Sequence, residues 1–139
     1  MGVCSDIPIG ARASKELTVT FDVTVARYHP EMPEVFGTPM MIYLMEIAAA
    51  DAIESHLPKG WASVGIVVNV KHLAATPVGA VVTAIAEVIE VGDNTVTFKV
   101  EAHDGVELIG EGTHTRASIN IERFMKRASS KKAMVDSPQ

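Results

Sequence analysis

"TPMMIYLMEIAAADAI", residues 38–53, decides how the chain must be built. Thr38 is a good N-cap, and Pro39 suits the first helical position. From Met40 to Leu57 there is neither glycine nor proline, and alanine and long apolar residues dominate. The stretch therefore predicts a helix of about five turns. It is apolar almost all round as far as Ala50, as a buried helix is. Pro58-Lys59-Gly60 stops it. One residue is out of place: Glu46, whose carboxylate is costly to bury without a partner.

Outward from this helix the chain is rich in strand patterns. Upstream, "KELTVTFDVTVA" (15–26) alternates, with Leu17, Val19, Phe21, Val23 and Val25 on one face, and predicts a half-buried strand. "RYHPEMPEVFG" (27–37) predicts an irregular loop. Downstream, "ASVGIVVNVKHL" (62–73) predicts a strand with Ile66, Val68, Val70 and His72 on one face and Val67, Asn69 and Lys71 on the other. Three more strands follow: "AVVTAIAEVIEV" (80–91), "TVTFKVEAH" (95–103) and "VELIGEGTHTRASINIE" (106–122). Hairpin signals join them at Gly92-Asp93-Asn94 and Asp104-Gly105. "RFMKRASSKKAMVDSPQ" (123–139) predicts a short helix fading into a polar, basic tail, with flexible termini over 1–14 and 126–139.

The order is thus one strand, a long buried helix, then four antiparallel strands, in a single domain over 1–139. A lone buried helix needs a sheet wrapped round it. The pattern describes an α+β hot-dog fold: a curved antiparallel sheet around one long central helix. Such domains commonly pair edge to edge, so a homodimer is expected.

Composition narrows the function. With 139 residues, 47% hydrophobic and 21% charged, the chain can bury a real core. A net charge of −5 gives no reason to expect nucleic-acid binding. No apolar run approaches the roughly 20 residues of a membrane span, so no membrane partner is expected. The start lacks a signal-peptide pattern. The lone Cys4 permits no intramolecular disulfide, which makes a reducing cytoplasm the expected location.

Three stretches carry a resemblance: "PEVFGTPMMIYLME", "HLAATPVG" and "AHDGVELIGEGTHTR". In this order and spacing, the chain resembles the fluoroacetyl-CoA thioesterase group of hot-dog thioesterases. The resemblance implies a catalytic threonine, glutamate and histidine, which fall on Thr38, Glu46 and His72. It implies a pocket-shaping glycine at Gly65 and an arginine at Arg116, with Met32 and Phe36 beside the acyl group. Fluoroacetyl-specialised members carry an aromatic residue where this chain has Met32. What carries over is therefore thioesterase chemistry rather than that one substrate. No cofactor is implied, coenzyme A being part of the substrate.

Thioester hydrolysis needs a nucleophile, management of its proton, and stabilisation of the carbonyl oxygen. Glu46 fits as base on a water, or as nucleophile forming an anhydride. Thr38 serves as an N-cap, as a partner group for the glutamate or a water, or as attacking group; His72 lies inward at a strand end. An inward histidine is also compatible with a satisfied core residue, and a buried glutamate with a structural hydrogen bond. Eight helical residues separate Thr38 from Glu46 by about 12 Å, so the groups are expected to converge at a dimer interface. Lys71, Arg116, Lys126, Arg127, Lys131 and Lys132 are candidate contacts for CoA phosphates, or solvated surface charges. Two other readings stand beside this one. One is a hot-dog hydratase or dehydratase, for which "DAIESH" offers Asp51 and His56. The other is a non-catalytic acyl-CoA binder.

Overall fold

The N-terminal edge of the sheet comes first in the chain: β1, Arg12–Thr18. The structure, a computed structural model, describes residues 2–137. Met1, Pro138 and Gln139, at the far ends of the two segments expected to be flexible, lie outside the described residues. Helix α1 spans Thr38–Glu54. Strands β2 (Trp61–His72), β3 (Val81–Val91), β4 (Thr95–His103) and β5 (Leu108–Asn120) follow, and helix α2 covers Ile121–Val135. The five strands form one antiparallel sheet in the order β1-β3-β4-β5-β2. This is the hot-dog arrangement, with α1 linking the two edge strands across the face that it fills.

Small side chains let helix and sheet approach closely. Ala48, Ala49 and Ala52 of α1 are buried together with Ala84 and Ala86 of β3 and Ala102 of β4. Larger residues fill the remaining space: Met41, Leu44, Met45 and Ile53 from the helix, Phe98 from β4 and Ile109 from β5. The inward alternation of β4 holds, with Val96, Phe98, Val100 and Ala102 all 0–1% exposed. Truncating one of the larger side chains to alanine would cost about 2–5 kcal/mol. On the side of α1 away from the sheet Tyr43 is 56% exposed, so the helix is not buried all round as its composition implied.

Two boundaries differ from the sequence reading. The first strand stops at Thr18 instead of continuing to Ala26, and the chain turns through short 3-10 segments at Phe21–Val23 and Val25–Arg27. The hydroxyl of Thr24 donates to the Phe21 carbonyl at 2.7 Å, the local bonding by which threonine competes with a sheet ladder. Val19 is buried as the alternation required, but Phe21 is exposed. At the other end, α2 runs 15 residues to Val135, longer than expected. Asn120 caps it, its side chain accepting from the Arg123 N–H at 3.0 Å. At the N-terminal end, Cys4 and Ile7 join the core.

The bent segment after β1 has a positional consequence. Its backbone binds the residues just before α1, through Val25 N–H to Val35 O and Gly37 N–H to Val23 O. Phe36 N–H in turn donates to the Thr76 carbonyl at 2.8 Å. The start of α1 is thereby stitched to the chain that leaves β2.

Candidate active site

The first cluster lies at the amino end of α1. Gly37, not Thr38, is the N-cap residue, and no side chain caps the helix. Thr38 is therefore already helical, and its hydroxyl is free of the capping role that its sequence position suggested. It instead meets His72, the last residue of β2, with Oγ1 2.7 Å from Nδ1. The other ring nitrogen, Nε2, is buried and has no partner in hydrogen-bonding geometry among the described residues. Burial holds the His72 pKa below its ordinary 6.5, with the Ala74 backbone opposing. The imidazole is thus neutral at pH 7. Beside the pair opens a cavity of about 340 Å³ lined by Val25, Val35, Phe36, Leu73, Ala74 and Ala75 as well as Thr38 and His72. Phe36 belongs to this wall. Met32 is 49% exposed and is not part of it.

The second cluster lies two turns further along α1. Glu46 Oε2 is 3.4 Å from Arg116 Nη1. Arg116 is only 7% exposed and is held from several sides. Its Nε donates to Ser63 Oγ and its Nη2 to the Ser63 carbonyl, each at 2.8 Å, while Nη1 also lies 3.2 Å from His114 Nε2. A guanidinium can only donate, so His114 Nε2 accepts, and its Nδ1–H donates to the Val67 carbonyl at 2.8 Å. His114 is held neutral, mainly by burial and further by the Arg116 charge. This network answers the question posed by Glu46: its carboxylate is not fully buried, the side chain staying 34% exposed, and it has a charged partner that is itself held in place. It also corrects the reading of Arg116 as a surface charge or phosphate contact, because its donors are committed inside the protein.

Gly65 sits between the two β2 neighbours of this network for a steric reason. A Cβ there would lie 2.6 Å from Glu46 Oε2 and 2.9 Å from His114 Cε1. The missing side chain makes room for the glutamate itself. Gly65 pairs with Arg116, and the register then shifts, leaving Ile66 without a partner before Val67 pairs with Thr115. This β-bulge reverses the alternation. Ser63 and Gly65 face the helix before it, and Val70 and His72 after it. A regular strand would turn residues 65 and 72 to opposite faces. The sequence pattern had the second half of the strand right, but Ile66, 55% exposed, is the extra residue and not an inward one.

Ser63 and His114 were not singled out as site residues from sequence. A signal was present in "GEGTHTR". Residues 110, 112, 114 and 116 share one face, where an apolar run was due, and are instead two glycines, a histidine and an arginine. Gly110 is needed there, since a Cβ would lie within van der Waals overlap of Met41. Asp51 and His56, the groups a hydratase would need, are both exposed at the carboxyl end of α1. Within one chain Thr38 and His72 meet, and Glu46 stands apart with Arg116.

Residues 19–122 match the family model for FlK, the fluoroacetyl-CoA-specific thioesterase. The fluoroacetyl-CoA thioesterase of Streptantibioticus cattleyicolor is 40% identical over 129 residues, covering 88% of this chain and 93% of that protein. A phenylalanine-to-alanine variant of FlK in complex with fluoroacetate and CoA superposes with a TM-score of 0.78 at 41% identity, covering 84% of this chain and 98% of the other. A thioesterase superfamily member from Thermus thermophilus gives a TM-score of 0.88 at 28% identity, over 96% and 99% of the two chains.

Proposed function

Because the chain belongs to the fluoroacetyl-CoA-specific thioesterase family and is a thioester hydrolase, we propose that it hydrolyses a small to medium acyl-CoA, with Thr38, His72 and Glu46 as the reacting set. The observation that carries this reading is the 2.7 Å contact of Thr38 with a neutral His72 whose Nε2 is buried, without a partner among the described residues, beside an apolar cavity. The acyl group enters that cavity, against Phe36. Met32, out on the surface, places no aromatic lid over it, which favours acyl groups other than fluoroacetyl. The lone, buried Cys4 is consistent with a reducing cytoplasm.

The groups divide the work as follows. His72 Nδ1–H donates to Thr38 Oγ1, which leaves the threonine hydroxyl proton to donate to the thioester carbonyl oxygen. That oxygen lies at the amino end of α1, where the helix dipole favours developing negative charge. Glu46 takes a proton from a water, and the hydroxide attacks the carbonyl carbon. The tetrahedral species collapses with cleavage of the C–S bond, and Glu46 returns the proton to the departing sulfur. The ion pair with Arg116 keeps the carboxylate oriented.

In one chain, Glu46 is about 12 Å along α1 from Thr38. A second copy closes the gap. β2 is an edge strand, hydrogen-bonded on one side only, to β5. Its unpaired side carries Ile66, Val67 and Val68, 55%, 50% and 44% exposed, an apolar edge of the kind that recruits another strand. An antiparallel two-fold pairing of β2 with itself, centred between Val68 and Asn69, sets Gly65 of one copy opposite His72 of the other. Glu46 of one copy then completes the Thr38–His72 pair of the other. Mixing the inactive variants Thr38→Ala and Glu46→Gln tests this. With sites shared across a two-fold axis, each mixed dimer regains one intact site, and random exchange restores about a quarter of wild-type activity. No recovery in dimers shown to be mixed overturns the shared site.

A further inference from the structure

On the inner face of the sheet, position 114 is due an apolar side chain. Its neighbour across β4 is Phe98, and Val96 and Val100 flank Phe98 on the same face, all three buried. His114 stands there 2% exposed, its ring stacked on Phe98 with centroids 6.2 Å apart and planes 26° from parallel. An unpaired ring nitrogen in such a place is costly, and both are used. Nδ1 lies 2.8 Å from the Val67 carbonyl and Nε2 lies 3.2 Å from Arg116 Nη1. The edge between them, Cε1, faces Gly65, where a Cβ would lie 2.9 Å away. The ring is thus held on one face, at both nitrogens and along the edge between them.

The Val67 carbonyl fixes the tautomer. It can only accept, so Nδ1 carries the proton and Nε2 offers a lone pair. Arg116 Nη1 bears two hydrogens in the guanidinium plane. One goes to His114 Nε2, which leaves the other for Glu46 Oε2, 3.4 Å away. That contact is long for a charge-assisted hydrogen bond, and the Glu46 side chain is 34% exposed. The carboxylate alone therefore does not define where Nη1 points. Ser63 holds Nε and Nη2, the other two nitrogens of the guanidinium. The kind of acceptor at 114 matters as well. A carboxylate there would compete with Glu46 for the positive charge, and a protonated imidazole would turn an N–H toward the guanidinium. A neutral acceptor directs Nη1 and leaves the charge of Arg116 to Glu46.

We propose that His114 is a positioning residue for the reaction: its neutral, Nδ1-protonated ring takes one Nη1 hydrogen of Arg116 and so aims the other at Glu46, setting the direction of the carboxylate without touching substrate. The bond to Val67, the first residue past the bulge, ties this alignment to the part of β2 that admits Glu46 beside Gly65. The consequence for catalysis rests on the acyl-CoA reading above; the alignment itself does not.

Two substitutions separate the contacts of the ring. His114→Gln sets an amide oxygen near the place of Nε2, where it accepts from Nη1; His114→Asn reaches only as far as Nδ1. With acetyl-CoA, His114→Asn should lower kcat about tenfold and leave KM within about twofold, while His114→Gln should keep most of the wild-type kcat. In nitrogen NMR of arginine-labelled protein, the Arg116 Nη1 protons should be resolved and slow to exchange in the wild type and in His114→Gln, and should lose that protection in His114→Asn. In histidine-labelled wild type, His114 should be the Nδ1–H tautomer. Equal kcat in the two variants, protected Nη1 protons in His114→Asn, or an Nε2–H tautomer overturns the proposal. If His114→Asn does not fold, the tautomer and the protection kept in His114→Gln decide it. If the wild type leaves both acetyl-CoA and butyryl-CoA intact, the acyl-CoA reading fails, and the NMR still decides whether His114 directs Arg116.

Discussion

At the amino end of α1, Thr38 and His72 meet as a neutral pair beside an open apolar cavity, one ring nitrogen having no hydrogen-bond partner among the described residues. Two turns on, Glu46 faces a guanidinium that makes three further contacts, two to Ser63 and one to His114. Both ends draw on α1 and β2, the charged one on β5 as well, yet they are built on opposite principles. The neutral end leaves hydrogen-bonding capacity unspent, as a group awaiting a ligand does. The charged end is tied from several sides, so its geometry is set before any ligand arrives, and the outer carboxylate oxygen of Glu46 remains available. On the proposed function, the neutral end would adapt to the acyl group and the charged end would not move.

Breaking the charged end chemically should have the largest effect. Glu46→Gln keeps the shape and removes the proposed base. A drop in kcat of about 10²–10⁴-fold is expected, with an unchanged circular dichroism spectrum; wild-type hydrolysis would make the residue structural. Breaking the same end structurally should cost stability. Arg116→Ala strands Glu46, both Ser63 acceptors and His114 Nε2, and should lower the unfolding free energy in urea by roughly 3 kcal/mol. A loss under about 1 kcal/mol would mean that water replaces the guanidinium without difficulty.

The smallest effect sharpens the neutral end. Folding lowers the pKa values of His72 and His114, in both cases chiefly through burial. Below pH 6.5 the unfolded chain takes up protons at these positions that the native protein does not, so stability declines as pH falls from 6.5 toward the depressed native values. The acid limb of kcat/KM should fall below 6.5 for the same reason. Melting curves and rates from pH 5 to 8 check both, and His72→Gln should flatten part of the stability slope. An acid limb above 6.5 would contradict a neutral His72.

Much of this was legible in the sequence because it rests on local rules. The run from Met40 has one stable conformation, and "TVTFKVEAH" alternates without interruption, so α1 and β4 appear nearly where they were expected. The meeting of Thr38 with His72 was not local. It depends on loop 19–37 bending and being stitched to Thr76, and the alternation of valines there favoured a straight strand. The burial of Arg116 escapes a sequence reading for a related reason. A strand residue's burial is decided by what lies across the sheet, and nothing near "THTR" names Ser63. The extent of α2 was written in Asn120 and in the absence of glycine and proline up to Val135. Without an apolar face to bury, that signal carried less weight than it deserved.

The unpaired Ile66 has a consequence for how relatives of this protein can differ in length. Gly65 and His72 are an odd number of positions apart, and only the bulge allows both to look the same way. Deleting Ile66 would remove the bulge and leave an interval of six, which a straight strand also turns to one face, so the histidine would stay inward. Deleting or adding a residue elsewhere in the interval while the bulge stays would instead turn the histidine outward, with the hydrogen-bonding partners of the sheet still available. The interval and the bulge therefore act together as a parity lock: an odd interval needs the bulge, and an even one needs a regular strand. A relative with the glycine, the glutamate and the histidine intact, but with an even interval and the bulge retained, would be a folded hot-dog domain whose histidine faces away from the helix.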